Sequence, residues 1–396
     1  MTGSRGQLQE SRTQGTLMPE MPQEASQSRW AGLERVWRVY IVPGAVFQSL
    51  MIGGGYGTGR EIVEYYSRYG IMGGLAGLLL ATLCFAVLLS VSFALAREFT
   101  AYDYRRFLRE LLGRGWVAFE VLYLAMFALV LAVVCAATAG LMQEYLQVPA
   151  VVGVGSMLLL VVVFAFYGRQ WVTRILAFKA VLLSLVFLAY FFIEIATHGH
   201  LIARELGQAE VQPGWVAGAL RYVLYTSVVI PTMLFAVRNI STRHQAVVAG
   251  MSSALIGMLP AILMHITFAA GYPQILARAL PAYWMIAALG LPALTIAYLV
   301  VLFGSLFDVG IGFIQSLNER IDGWAVQHHR RRMSGWTRAG IAVACLLASG
   351  ALSFVGVVPL IAQGYSAMAY GFLVLFVAPL LSVGVYRLIR GGSPRE

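Results

Sequence analysis

Lysine is almost missing from this chain: of its 28 cationic residues all but Lys179 are arginine. Charge of either sign is scarce, at 12% of 396 residues, where soluble domains carry about 25%. There are three cysteines, Cys84, Cys135 and Cys345, far apart and inside apolar stretches. They lack the spacing of metal ligands or of a disulfide framework and read as small packing residues. These scarcities exclude a compact soluble protein, a disulfide scaffold and a disordered chain. What is abundant is hydrophobic side chains, 59% of the total, in runs such as 78–96, 121–142 and 293–307. Such runs approach the ~20 residues that cross a bilayer. The chain is predicted to be an all-α polytopic membrane protein, with the lipid bilayer as its first partner.

Residues 1–35 are rich in Gln, Ser, Glu and Thr and carry neither an apolar core nor a small-residue cleavage pattern. They predict a disordered cytoplasmic tail rather than a signal peptide. The domain that follows, 36–390, is expected to hold ten spans, and 391–396 a short second tail. Helices 1–5 occupy 38–197, as spans 38–66, 71–96, 117–143, 150–167 and 174–197. Helices 6–10 occupy 216–388, as spans 216–237, 245–270, 291–317, 338–356 and 358–388. Cytoplasmic loops retain positive charge. With the N-terminus inside, the even-numbered loops hold Arg97, Arg105, Arg106, Arg109, Arg114, Arg169, Arg174, Arg238, Arg243, Arg320, Arg330, Arg331, Arg332 and Arg338. The opposite loops hold only Arg68, Arg204 and Arg278. Both termini are therefore expected in the cytoplasm, with the protein in the plasma (inner) membrane. The net charge of +10 is a topology signal and an attraction to anionic lipid, and needs no nucleic-acid partner. His328 and His329 sit beside three arginines and read as part of a solvated basic loop rather than a metal site.

Two spans carry interruptions. Span 1 contains Gly53, Gly54, Gly55, Tyr56, Gly57, Thr58 and Gly59, five glycines in seven residues. Each glycine costs about 1 kcal/mol against alanine in a helix interior, which predicts unwound backbone. Backbone of that kind is tolerated at membrane depth only where it is buried in protein or lines a cavity. The competing use of the glycines is close helix packing. Span 6 carries Pro231 with hydroxyls at Thr226, Ser227 and Thr232, which predicts a break or a kink. Interrupted spans at equivalent places in two halves mark an inverted repeat with the binding site between them. The segment 272–290 is apolar but broken by Pro273, Pro281 and Gly290, and is expected to form an outer re-entrant or surface-lying lid.

Ten spans, inside termini, breaks in helices 1 and 6 and an outer hairpin before helix 8 resemble the LeuT fold of the amino acid, polyamine and organocation (APC) transporter superfamily. The segment GGGYGTGREIVE, Gly53 to Glu64, followed by Gly70 and Gly73-Gly74, is similar to the YkvI-type membrane proteins. The resemblance implies a five-plus-five inverted repeat and a secondary transporter for a small organic solute, an amino acid or related ion, held at the two breaks. The backbone from Gly53 to Gly59 lies at the first break, and facing it helix 6 offers Tyr222, Tyr225, Thr226 and Ser227 as further substrate residues, the tyrosines being either a rigid apolar wall with one polar tip or ordinary bundle packing.

A half-helix starting near Thr58 would present free N–H groups suited to a carboxylate or other small anion. Glu61 and Glu64 lie in its first turns and offset the same dipole, and Arg60 and Glu64 have i,i+4 spacing for pairing. Arg60, Glu61 and Glu64 are therefore assigned to the outer gate or its charge, the alternative being an ion cluster satisfied internally. Lys179 lies roughly 8 Å into helix 5 and Asp308 roughly 15 Å into helix 8, at 1.5 Å per residue. Isolated charges at such depths need a cavity or a partner. A Lys179–Asp308 pair is within lysine's reach, while snorkelling and a satisfied core carboxylate are the other readings. By resemblance, Ser305 and Asp308 map near a sodium site whose place a helix 5 lysine takes in proton-coupled members. The usual pair of adjacent hydroxyls is absent here. No cofactor and no resident metal are expected, only Na+ or H+ as coupling ion. Glu120, Glu144, Glu194 and His265 form no catalytic motif, and no phosphate-binding loop follows a strand, so an enzyme is not expected. A channel, a scramblase or a non-transporting sensor on the same fold are the alternative functions. Oligomeric state is not encoded in these patterns.

Overall fold

The computed structural model describes residues 33–145, 147–167, 169–208, 211–327 and 334–390. Residues 1–32 of the expected tail, the His328–His329 pair and residues 391–396 lie outside these described residues. Among the described residues all regular structure is helical.

The first apolar segment comprises a π turn at Trp37–Ile41, then α1 (Val42–Met51) with Pro43 in its first turn, α2 (Gly54–Gly57) and α3 (Arg60–Tyr65). Gly70, at φ +82°, turns the chain back into α4 (Ile71–Glu98). A short helix, α5 (Tyr104–Leu112), is started by the Asp103 carboxylate, which accepts from the amides of Arg105 and Arg106 at 3.0 and 3.1 Å. This satisfies donors that a helix start leaves open. Helices α6 (Trp116–Tyr145), α7 (Ala150–Tyr167) and α8 (Arg169–Gly207) follow, the last departing from helical geometry at His198. Next come α9 (Trp215–Thr226) and the 3₁₀ turns Ser227–Val229 and Pro231–Val237. The chain bends by 63° where Pro231 begins the second turn, since proline deletes one helical hydrogen bond and crowds the preceding turn. The order closes with α10 (Arg243–Phe268), α11 (Pro281–Ala288), α12 (Pro292–Gln327), α13 (Gly335–Ser353) and a run of α and π turns over Val357–Arg390.

Among the described residues five stretches are long and apolar enough to cross a membrane: Ile71–Glu98, Tyr104–Gln143, Leu185–Gly207, Arg243–Gly271 and Val357–Arg390. The bent pair at Pro231 adds a sixth, and Pro292–Phe307 and Val343–Ser353 are shorter apolar helices. The chain is a multi-pass membrane protein by these lengths and compositions. Exposed leucines and valines line one flank of each long helix, as with Leu79, Leu83 and Val87 on α4 and Val247, Met251, Leu255 and Leu259 on α10. In water this would be an aggregation-prone patch, whereas lipid tails are its natural solvent.

The innermost packing joins α1, α4 and α10 through small residues. A Cβ placed on Gly250 would sit 2.4 Å from the Ser90 backbone nitrogen, and one on Gly257 2.4 Å from the Phe47 ring. Glycine here lets helix backbones approach more closely than any side chain would allow. The core between the helices is unusually tyrosine-rich: Tyr56, Tyr66, Tyr190, Tyr222, Tyr298 and Tyr365 are all fully buried. The three cysteines are unpaired, Cys135 buried and the other two partly so.

Candidate functional site

Helical geometry lapses twice within the glycine run. Helix α1 stops at Met51, Gly53 is extended (φ −91°, ψ −170°), and α2 makes one turn closed by Gly57 N–H donating to Gly53 O at 2.9 Å. Thr58 and Gly59 then turn the chain again, with Gly59 left-handed at φ +80°. A Cβ on Gly59 would lie 2.6 Å from the Phe268 ring and 3.1 Å from Ala282 N, so both conformation and space require glycine there. Instead of one unwound run, the segment is a single turn between two lapses, because four successive residues from Gly54 suffice to close one hydrogen-bonded ring.

The carbonyls released by these lapses are taken up by neighbours. Thr58 Oγ1 donates to Gly55 O at 2.7 Å, Tyr298 on α12 donates to Gly57 O at 2.8 Å, and Ala282 N–H on α11 donates to Thr58 O at 3.0 Å. A buried carbonyl with no donor costs several kcal/mol in an apolar medium, so these bonds hold the irregular backbone in place. They also dock the 272–290 segment onto the first span. That segment is a 3₁₀ turn, Gln274–Ala277, followed by α11, whose Pro281, Ala282, Tyr283, Met285 and Ile286 are buried.

The charges of α3 divide between two directions. Arg60 pairs with Glu64 at 2.8 Å and donates to the carbonyls of Leu276 and Arg278 at 2.8 and 3.0 Å, joining α3 to the 272–290 segment. Arg68, half exposed, also pairs with Glu64. Glu61 points elsewhere, toward α9. It is only 6% exposed, accepts from the Tyr225 hydroxyl at 2.7 Å and lies against the Tyr56 backbone amide. A Cβ on Gly55 would sit 2.4 Å from Glu61 Oε1, so the carboxylate reaches back over α2 and needs the missing side chain there. It forms no ion pair among the described residues, which is costly for a charge at this depth.

Around Glu61 stand tyrosines from three regions of the chain. Ring centroids are 4.9 Å apart for Tyr225–Tyr365, 5.2 Å for Tyr66–Tyr222, 5.3 Å for Tyr65–Tyr225 and 5.4 Å for Tyr222–Tyr225. The Tyr65 hydroxyl donates to Ile361 O at 2.8 Å, while those of Tyr56 and Tyr66 are buried without a hydrogen bond. Thr226 is buried beside them, and Ser227 donates to Leu224 O of its own helix at 2.6 Å. The residues selected from spans 1 and 6 therefore meet, with Glu61 and Tyr225 as the joint.

Ser305 is buried and its hydroxyl donates to Val301 O at 2.9 Å within α12. The backbones of Lys179 and Asp308 belong to α8 and α12, which pack together, but both side chains lie outside the described residues. His265, with no role assigned from sequence, is fully buried between Ser67 Oγ (2.9 Å from Nδ1) and Ile71 O (2.8 Å from Nε2). Because a carbonyl only accepts, Nε2 carries the proton, and the ring clasps the turn between α3 and α4. Local sequence pattern does not single out Tyr65, Tyr66, Tyr298 or Tyr365. The adjacent Tyr65 and Tyr66 beside Glu64 are a weak local signal, whereas nothing near Tyr298 or Tyr365 marks them. At the far end of α4, Arg387 donates to Glu110 O at 2.6 Å and pairs with its carboxylate at 3.0 Å, and Arg320 pairs with Glu120. The described residues bring together no group of three His, Cys, Asp or Glu side chains able to hold a metal ion.

No protein-family model matches the chain, and no curated protein matches it. Solved structures do. A manganese transporter from Eremococcus coleocola, as its H236A mutant, is 14% identical over 92% of this chain and 81% of its own, with a TM-score of 0.57. The same transporter in complex with an aromatic bis-isothiourea substituted compound is 15% identical over the same shares, also at 0.57. A Na+-coupled sialic acid symporter in a substrate-bound outward-open state is 11% identical over 87% of this chain and 79% of its own, at 0.57. These neighbours are transporters and not enzymes. At such identities the likeness is one of architecture: this chain has the fold of solved membrane transporters.

Proposed function

We propose that this chain is a secondary active transporter that moves a small organic solute by alternating access, with the solute held between the glycine-rich segment and the bend at Pro231. The observation that carries this reading is the bond between Glu61, beyond the lapse in span 1, and Tyr225, at the end of α9. It joins the helices that flank the irregular backbone in both halves of the chain at one buried point, and transporters built on repeats place their ligand between such interrupted spans. We extend the reading to ten spans in two inverted halves, both termini in the cytoplasm of the plasma membrane, and kinship with the YkvI-type branch of the APC superfamily. The arginine asymmetry and the motif from Gly53 to Glu64 support these points. Manganese, named for the neighbour, is not carried over, since the described residues bring together no group of three His, Cys, Asp or Glu side chains for a metal ion.

The test is uptake into proteoliposomes containing the full chain, with a panel of radiolabelled amino acids and organic amines and an imposed Na+ or pH gradient. Saturable accumulation that collapses with an ionophore is expected. Unsaturable flux without accumulation would identify a channel or scramblase, and binding without counterflow a sensor.

For coupling, we propose that Lys179 and Asp308 exchange a proton or cation during the cycle, with Ser305 nearby on α12. Burial and pairing act oppositely on such a pair, so making and breaking it can bind and release a proton. Gradient-driven accumulation is expected to disappear in the Lys179→Met, Asp308→Asn double variant, while counterflow without a gradient survives. Thermal stability in sodium against potassium at matched ionic strength separates the ions, because a ligand of the folded form stabilises it by RT ln(1 + [L]/Kd). A saturating sodium-specific rise would assign sodium and leave Lys179 as a snorkelling anchor.

A further inference from the structure

Where α4 ends and α6 begins, the arginines divide into two sets. Arg97 and Arg243 share Glu98 at 2.7 and 3.4 Å, Arg387 takes Glu110 at 3.0 Å, and Arg320 takes Glu120. Among the described residues Arg105, Arg106, Arg109 and Arg114, on α5 and just after it, pair with no carboxylate. The Asp103 carboxylate beside them is turned to the amides at the start of α5, and Arg106 reaches only the Thr100 hydroxyl, at 3.1 Å. The chain reverses at Gly113, φ +57°, and lays α5 back against the start of α6, where the Tyr104 hydroxyl donates to Glu120 at 2.7 Å. Arg105 and Arg109 thereby stand over the Trp116 ring, their guanidinium carbons 6.0 and 5.1 Å from its centroid. Four residues apart on one helix, the two cations repel each other. The aromatic face offsets part of that cost, and an anion between them would remove the rest. Directly after Trp116, Val117 and Val121 are 52% and 64% exposed. The guanidinium pair therefore stands where the lipid-facing surface of α6 begins, the level at which tryptophan is favoured in membrane proteins.

We infer that Arg105 and Arg109, flanking Trp116, form a binding site for one anionic phospholipid, its phosphate between the two guanidiniums and its acyl chains along Val117 and Val121. Guanidinium groups suit phosphate oxygens because their N–H donors form a planar fork. A zwitterionic headgroup would bring its ammonium toward Arg106 and Arg114, both exposed, so a headgroup without a cation is preferred. The net charge of the chain attracts any anionic surface, whereas this geometry gives one lipid a fixed place. The site is remote in sequence from the breaks in spans 1 and 6 and is independent of what the chain transports.

The test uses the purified full chain in an uncharged detergent at pH 7 and constant ionic strength, with three probes: dioctanoyl phosphatidylglycerol, dioctanoyl phosphatidylcholine and inorganic phosphate. Phosphatidylglycerol is expected to raise the melting temperature saturably, phosphatidylcholine to do so only at much higher concentration, and inorganic phosphate to leave it unchanged. In the Arg105→Gln, Arg109→Gln double variant, checked by monodisperse elution and an unaltered far-UV circular dichroism spectrum, phosphatidylglycerol affinity should fall about 30-fold, roughly fivefold for each arginine removed. The control is Arg35→Gln with Arg390→Gln, two exposed arginines on other elements, which removes the same charge and should leave the affinity unchanged. The single variants Arg105→Gln and Arg109→Gln, each expected to lose about fivefold, carry the test where the double variant does not fold. Equal stabilisation by the two lipids would mean that only the acyl chains bind, and stabilisation by inorganic phosphate at the same concentration would mean a free-anion site. Undiminished affinity in the Arg105 and Arg109 variants would place the lipid elsewhere, and an equal loss in the control would show diffuse charge attraction. Each of these four outcomes would overturn the inference.

Discussion

Replacing Glu64 by Gln is expected to lower the stability of the detergent-purified chain by roughly 3–5 kcal/mol, the cost of leaving one member of a buried ion pair alone. Glu64 is 6% exposed and Arg60 5%, and the pair is made at 2.8 Å. Glutamine keeps the shape and one acceptor but removes the charge, so the Arg60 guanidinium stays buried with only neutral acceptors, the glutamine oxygen and the Leu276 and Arg278 carbonyls, to offset it. Those carbonyls belong to the segment packed over the first span, so the loss is expected to appear also as faster proteolysis within 272–290. The internal control is Arg68→Ala. Arg68 binds the same carboxylate, but its side chain is 51% exposed, and pairs of that kind contribute about 0–1 kcal/mol. Denaturant titration of both variants separates the cases. Equal small losses would show that the Arg60–Glu64 pair is solvated and that the 272–290 segment is held by its apolar face alone.

The second large effect is expected from one methyl group. Gly250→Ala places a Cβ 2.4 Å from the Ser90 nitrogen and 2.6 Å from its Cα. Both are backbone atoms, so no rotamer change relieves the contact and α4 and α10 must separate. Overpacking of this kind costs about 3 kcal/mol, and here it spreads along the innermost helix pair of the bundle. Gly155→Ala on α7, where an added Cβ meets nothing within 4 Å, is the matched control. Its expected effect is neutral or a gain of up to about 1 kcal/mol from helix propensity. Thermal melts of the two variants beside the parent chain decide the matter. Gly250→Ala melting with the parent would mean that the two helices are free to slide apart.

The unequal legibility of the site has physical reasons. Arg60–Glu64 pairing follows from helical spacing, because residues four apart are neighbours on one helix face. Glycine and proline act on their own backbone, so a run of five glycines and a mid-span Pro231 point to irregular chain without any knowledge of partners. Glu61 is different. It sits one residue from Arg60 and three from Glu64, and local pattern treats all three charges alike. Its turn toward Tyr225 depends on how Gly59, held against Phe268 and Ala282, sets the short helix α3. Tyr298 and Tyr365 were invisible for a related reason: a tyrosine in an apolar span looks the same whether it faces lipid, packs, or caps a carbonyl 241 residues away, as Tyr298 does for Gly57.

By itself the amino-acid sequence determined that this chain is helical and lives in a membrane, and where its backbone has reason to depart from a helix. Those properties arise from transfer free energies and from dihedral freedom, which each residue carries with it. The tertiary structure alone decided which buried groups meet: that Arg60 ties the first span to the 272–290 segment, that Glu61 fills the amide position beside Gly55, and that tyrosines from three distant regions surround it. Such meetings are set by helix rotation and by approach distances of a few ångströms, which no local pattern of residues encodes.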